Sequence, residues 1–368
     1  MPQPNTSFPA NRFESIHQVG GIRTATFDYP DAGGSPACRV ALLDTGAGLR
    51  FTVALDRGGD VVEAHYNHTN LAYLTPNGYK PPSHAYHRGD EWHASWPGGL
   101  VTTCGPRYIG SPRKEDGHTT SQHGQHSNTP AALTAIHQPD PRHDQLDMRL
   151  DLLIRDSRMF GPTFEIHRSY HATLGQPHFT LRDTVTNRSD TAVAHNWLYH
   201  VNLGYPLLDA GARLVFGGPT SVWAPNNFPR ETEKLNTLKT IPEPTRDHAG
   251  TNESCFFVDV PADTDGRAHV GLVNQARGVG IELVYPKDQL PRFANWQHFS
   301  PSGSYVTGLE PFAGSLVGKA NDNHPLADQP LQSGETRTYE LTVRIAHTPD
   351  QLATLLAHDL DLEPGNVV

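Results

Sequence analysis

The chain has 368 residues, 33 of them glycine and 31 proline. That is about 17% against a usual ~12%, a density of helix breakers that excludes a protein built from long helices. Apolar residues reach 36% and the formal charge is -10, from 39 acids and 29 bases; a core is possible, while nucleic acid and anionic membranes are disfavoured as partners and a neutral small molecule is favoured.

No window approaches eighteen consecutive apolar residues, so no membrane-spanning helix is expected. The start, Met1-Pro2-Gln3-Pro4-Asn5, has neither the basic nor the apolar region of a secretory signal, and a cytoplasmic location is expected. Residues 1–20 read as a polar N-terminal extension, and 21–368 as one domain.

Strand-like runs begin at Ile22 to Tyr29, Arg39 to Leu43 and Leu49 to Leu55, the last two joined by a turn at Thr45-Gly46-Ala47-Gly48. Residues 75–130 carry clustered Pro, Gly, His, Ser and Thr with little periodicity, too long for an idle connection and therefore a functional loop. A steady β pattern follows at Met148 to Ile154, Phe164 to Tyr170, Phe179 to Thr186, Val193 to Leu203 and Arg213 to Phe216. After a second polar stretch, 219–253, strands resume at Cys255 to Val260, His269 to Val273, Gly280 to Tyr285, Phe293 to Phe299, Tyr305 to Phe312 and Thr338 to Ile345. This short, regular spacing predicts an all-β antiparallel sandwich. One helix is signalled at the end: Thr348 and Gln351 form a capping box, Pro349 suits the first helical position, and Leu352, Leu355, Leu356 and Leu360 repeat at helical spacing.

Cys38, Cys104 and Cys255 are far apart and read as small buried hydrophobes. Histidine is in excess, with 22 copies. The pairs His65/His68, His84/His87 and His123/His126 exceed the roughly one His-x-x-His that random placement gives, but no His-Glu-x-x-His motif or cysteine pair accompanies them, and no metal or cofactor is expected.

Four segments carry polar chemistry. Leu55-Asp56-Arg57-Gly58-Gly59-Asp60-Val61 offers either a turn closed by an Arg–Asp pair or an Arg57 fork aimed at a sugar. In the long loop, Gln122-His123-Gly124-Gln125-His126 sets imidazoles beside glycine, where a ligand has room to approach. In Ala194 to Tyr205, strand alternation puts His200 and Asn202 on one face and Trp197, Tyr199 and Val201 on the other, with His195 of opposite parity to His200. In Tyr305 to Phe312, Glu310 is a carboxylate in an apolar strand, Gly308 leaves space on its face, and Pro311 suggests a strand end or an edge.

Taken in order, Leu55 to Val61, Trp96-Pro97-Gly98-Gly99-Leu100, Gln122-His123-Gly124, Leu198 to Pro206 and Gly308-Leu309-Glu310-Pro311 resemble the aldose 1-epimerase (galactose mutarotase-like) superfamily, and within it the DUF4432 branch. The resemblance covers about residues 45–345 and implies a large antiparallel β-sandwich with a short C-terminal helix. It maps the base that acts on the anomeric hydroxyl onto Glu310 and a sugar-binding histidine onto His123. The family's acid histidine stands four residues before an Asn-Leu pair, where this chain has Leu198; His200, two residues nearer on the same face, takes the role. The family's Leu-Glu-x-Gln is here Leu309-Glu310-Pro311-Phe312, which implies a sugar other than galactose or glucose, such as an oxidised, deoxygenated or acidic one.

The expected activity is interconversion of the anomers of a free sugar. Glu310 and His200 are the catalytic residues, and His123, Arg57, Asn202, His126, His195 and Trp296 contact the substrate. Two alternatives stand beside it: an isomerase, epimerase or lyase on the same fold, with or without a metal on the extra histidines, and a non-catalytic sugar-binding module that stacks its ligand on Trp92, Trp96 and Trp296. A monomer or homodimer is expected.

Overall fold

A computed structural model describes residues 8–365 apart from 10, 29–36, 116, 223–231 and 328. Tyr29, the end of the first expected strand, lies outside the described residues. Strand outweighs helix, 46% to 10%, as the glycine and proline content requires.

Two antiparallel sheets dominate. The order in the larger, of twelve strands, is Gly21–Phe27, Cys38–Asp44, Leu49–Ala54, Asp60–Tyr66, Val101–Cys104, Trp197–Gly204, Tyr305–Ala313, Arg292–Phe299, Ser254–Val258, Gly218–Val222 and Leu362–Pro364. Thr69–Asn70 pairs beside Asp60–Tyr66, and Leu362–Pro364 joins in parallel. The smaller sheet, of eight strands, runs Arg213–Val215, Arg267–Asn274, Val279–Pro286, Thr336–Ala346, His178–Asn187, Thr163–Thr173, Asp147–Ser157 and Ala131–His137.

Alternation along the strands sends one set of side chains into a shared core between the sheets, a single apolar cluster reaching from Ile22 to Leu362. Phe51 of the larger sheet stacks on Phe179 of the smaller with ring centroids 4.3 Å apart, a contact that adds about 0.5–1.5 kcal/mol to simple burial. The sheets are also joined by ions. Arg168, fully buried, donates to Asp183 of its own sheet at 2.8 Å, to Asp60 of the other at 2.7 Å and to the hydroxyl of Thr103 at 2.7 Å. It also donates to the carbonyls of Gly58 and Gly59. Those two glycines have φ of 67° and 64°, the left-handed region that aims both carbonyls inward.

The helix Pro349–Leu356 forms with the expected capping box at Thr348 and Gln351. Leu352, Leu355 and Leu356 pack on Val215, Val273 and Ala346. Leu360 lies beyond the helix and is half exposed, its carbonyl accepting from Lys239 Nζ.

The stretch 75–130 is less irregular than expected. It contains the strand Val101–Cys104, deep in the larger sheet and bounded by Gly99 and Gly105, besides single helical turns at His84–His87, Glu91–Ala94 and His126–Asn128. Pro311 is near the end of its strand as expected, but that strand is central, not an edge. The ladder to Trp197–Gly204 pairs Leu198 with Phe312 and Val201 with Leu309 and skips the two positions between, where proline has no N–H to give.

Candidate functional site

That interrupted register sets His200 directly across from Glu310. One face of five neighbouring strands, turned away from the core, carries Thr102, His200, Glu310, Gly308, Trp296 and Cys255 as cross-strand neighbours. The opposite face of the same strands, with Val201, Leu309 and Phe256, belongs to the core.

His200 Nε2 and Glu310 Oε1 are 3.1 Å apart and both side chains are buried. Gly308 makes this possible: a Cβ there would stand 2.7 Å from Glu310 Oε1 and 3.0 Å from His200 Cε1. The space left by this glycine is thus taken by the pair itself. Burial, reinforced by the charge of Glu253, pushes the Glu310 carboxyl up to about 8. Burial brings His200 down to about 4, opposed by a side-chain contact with Asn202. Both shifts favour the uncharged forms, a protonated Glu310 carboxyl beside a neutral His200 imidazole.

A cavity of about 90 Å³ lies against this pair, lined also by Trp92, Trp96, His123, Trp296 and Leu316. Trp92 and Trp96 stack at 5.0 Å, and the His200 ring meets those of His123 and Trp296 edge-on at 5.4 and 5.5 Å. Exposed Glu253, His93 and Ser111 form the rim, and Trp296 Nε1 donates to Glu253 at 2.7 Å. His123 is held by a left-handed backbone with φ of 54°, its carbonyl accepting from Gly105 N and its amide donating to the Gly110 carbonyl. Gly110 N donates to His123 Nδ1 at 3.4 Å, and burial holds the ring well below the ordinary histidine range. The ring is neutral, with its one proton on Nε2.

Of the residues expected at a sugar, the structure brings together Glu310, His200, His123 and Trp296. The other four do not line the cavity, and each makes hydrogen bonds elsewhere. Arg57 is buried and donates to Asn128 Oδ1 at 2.7 Å, Ser95 Oγ at 3.3 Å and the Lys80 carbonyl at 3.4 Å, stapling the long loop. The Arg–Asp turn is also not formed, since Asp56 pairs with Arg39 and Asp60 with Arg168. His126 Nε2 bonds the Gly58 carbonyl at 3.0 Å. His195 spans Pro106 O and the Tyr339 hydroxyl, both at 2.8 Å, on the core side. Asn202 donates to the carbonyls of Gly99 and His200, so it positions the cavity wall. Glu253, Gln122, His93 and Cys255 line the cavity without having been expected there; polar loop residues such as the first three carry no periodic signal that would have marked them.

Among the described residues, none of the His-x-x-His pairs belongs to a group of three closely spaced metal-ligating side chains. His123 faces the cavity while His126 turns to Gly58. Among the described residues, the one grouping of three metal-ligating side chains with donors within 4.8 Å is His269, Glu282 and His358. Its His269 and Glu282 lie on strands of the smaller sheet, away from the cavity. The three cysteines are free and buried, as expected.

The family described as a domain of unknown function, DUF4432, matches residues 35–345. No curated protein matches the chain. Among solved structures, a Klebsiella pneumoniae protein proposed as an aldose 1-epimerase aligns over 94% of this chain and 90% of its own, with TM-score 0.81 and 22% identity. A galactose mutarotase-like protein from Clostridium acetobutylicum aligns over 89% and 99%, with TM-score 0.60 and 12% identity. A galactose mutarotase related enzyme from Lactobacillus acidophilus covers the same shares at TM-score 0.56 and 12% identity. At these identities the likeness is one of fold: a galactose mutarotase-like β-sandwich.

Proposed function

The chain belongs to the DUF4432 family, and we propose that it is an isomerase interconverting the two anomers of a free, uncharged sugar. The observation that carries this reading is the buried His200–Glu310 pair on the wall of a tryptophan-lined cavity.

The pair holds one proton, and moving it from Oε1 to Nε2 produces a carboxylate base and an imidazolium acid side by side. Glu310 takes the proton of the anomeric hydroxyl, the C1–ring-oxygen bond breaks, and the ring oxygen takes the proton of His200. Rotation about C1–C2 turns the other face of the aldehyde to the ring hydroxyl. Closure then returns one proton to His200 and takes the other from Glu310, so the pair is restored. Positioned proton transfer of this kind contributes about 10²–10⁴ in rate. His123 Nε2 donates to a sugar oxygen.

The lining favours a neutral substrate over an acidic one. Among the described residues no Arg or Lys borders the cavity, while the exposed carboxylate of Glu253 does, so a sugar carboxylate or phosphate would face negative charge with no counter-ion. Three indoles offer surface for the C–H faces of a ring. The cavity is open at its rim of Glu253, His93 and Ser111, so the anomeric end of the sugar sits against the pair and the rest reaches the rim. Polarimetry of freshly dissolved neutral aldoses tests the reading: faster mutarotation with protein supports it, and no acceleration of any free sugar overturns it.

A further inference from the structure

A second cavity, of about 210 Å³, opens on the other side of the segment 121–125. Gln122 and His123 face the Glu310 cavity, whereas Ser121, Gly124 and Gln125 line the second one. Its opposite wall is the hairpin joining the strands Asp147–Ser157 and Thr163–Thr173, with Asp156, Arg158, Pro162 and Phe164.

Two polar groups of this lining have no hydrogen-bond partner among the described residues. The Asp156 carboxylate, half-buried, accepts no hydrogen bond among the described residues, although Arg107 and Arg158 are close enough to act on it electrostatically. His87 Nε2 is buried without a partner. Leaving such groups dry costs stability unless a ligand or water meets them.

The mixture of charges narrows the ligand. A cation would meet Arg107 and Arg158, an anion would meet Asp156, and a wholly apolar molecule would leave the carboxylate with no donor. A neutral molecule rich in hydroxyls satisfies every group: hydroxyls donate to Asp156, oxygens accept from Arg158 and the Gln125 amide, and the rings of Tyr108 and Phe164 cover its C–H surface. We propose that this cavity is a second binding site, distinct from the Glu310 cavity, for a neutral polyhydroxylated ligand of glycoside type. The proposal does not depend on the anomer-interconverting activity, because nothing in the second cavity is assigned a part in it.

Titration calorimetry with methyl α-D-glucopyranoside and methyl α-D-galactopyranoside tests it, since the locked anomeric carbon of both prevents turnover. At least one glycoside is expected to bind in the millimolar range. Asp156→Asn and Arg158→Ala should each weaken binding about tenfold to about a hundredfold, and Glu310→Gln should leave it unchanged. Should Asp156→Asn fail to fold, the exposed Arg158 still decides the matter through Arg158→Ala. No saturable binding of either glycoside overturns the proposal, as does binding that Glu310→Gln abolishes while the Asp156 and Arg158 variants retain it. Anomer exchange measured on the same variants separates this outcome from a failure of the mutarotase reading: it should be unaffected by Arg158→Ala.

Discussion

His200 and Glu310 face each other across neighbouring strands, 3.1 Å apart between Nε2 and Oε1, on the one stretch of their ladder where the pairing is interrupted, beside Pro311. Register, a missing N–H and the absent side chain of Gly308 together bring an acid and a base into contact in a buried place. The consequences of that contact can be measured.

The pH dependence of the rate should be bell-shaped. Catalysis needs one proton on the pair. Below about 4 His200 becomes protonated while Glu310 keeps its proton, so no base remains; above about 8 Glu310 loses its proton, so no acid remains. Rates of anomer exchange between pH 3 and 10 should fall on both sides of that window. A rate that keeps rising well above pH 9 would contradict the need for the Glu310 proton.

Glu253 tunes the upper limb. Its negative charge helps to hold the Glu310 proton, so Glu253→Gln should make Glu310 easier to ionise and move the alkaline limb to lower pH. Glutamine still offers Trp296 Nε1 an acceptor, so any change in substrate affinity should be smaller than in Glu253→Ala. An unmoved alkaline limb would show that the two carboxylates do not interact.

Gly308→Ala should damage activity more than folding. The new Cβ would press on Glu310 and His200 at 2.7 and 3.0 Å, and displacement of about 1 Å between reacting groups costs around a hundredfold in rate. Overpacking should cost stability by only about 1–3 kcal/mol. A folded Gly308→Ala variant with the parent rate would mean that the pair's contact is not needed.

Arg168 should be far more important to stability than any surface arginine. Removing it with Arg168→Met leaves Asp60 and Asp183 buried without their cation, a loss of about 3–5 kcal/mol in urea unfolding. Arg149, exposed beside Asp151, should give less than about 1 kcal/mol on the same change.

Much of this fold was readable from the chain. Where β-branched and apolar residues alternate between turns, as from Asp147 to Asn187 and again from Ser254 to Ala346, strands were placed to within a few residues. Val101–Cys104 and Asp60–Tyr66 were not read as strands because each adjoins a glycine-rich turn or polar loop that drowns a short signal. At the site, alternation placed His200 on the face turned from the core, and family likeness pointed to Glu310 and His123. Arg57, His126 and His195 lie outside the cavity, and their hydrogen-bond partners are 23 to 144 residues away along the chain, so nothing local shows that a guanidinium or imidazole is already engaged. The Arg168 network escaped notice in the same way, since Asp60 is 108 residues from Arg168.

The measurement closest to the central claim is saturation-transfer NMR of anomer exchange on neutral aldoses that the parent protein accelerates, repeated with Glu310→Gln and His200→Asn. Each variant should keep its fold and lose about 10²–10⁴ in rate, the share that positioned proton transfer supplies. A folded Glu310→Gln protein exchanging anomers at the parent rate would contradict the mechanism.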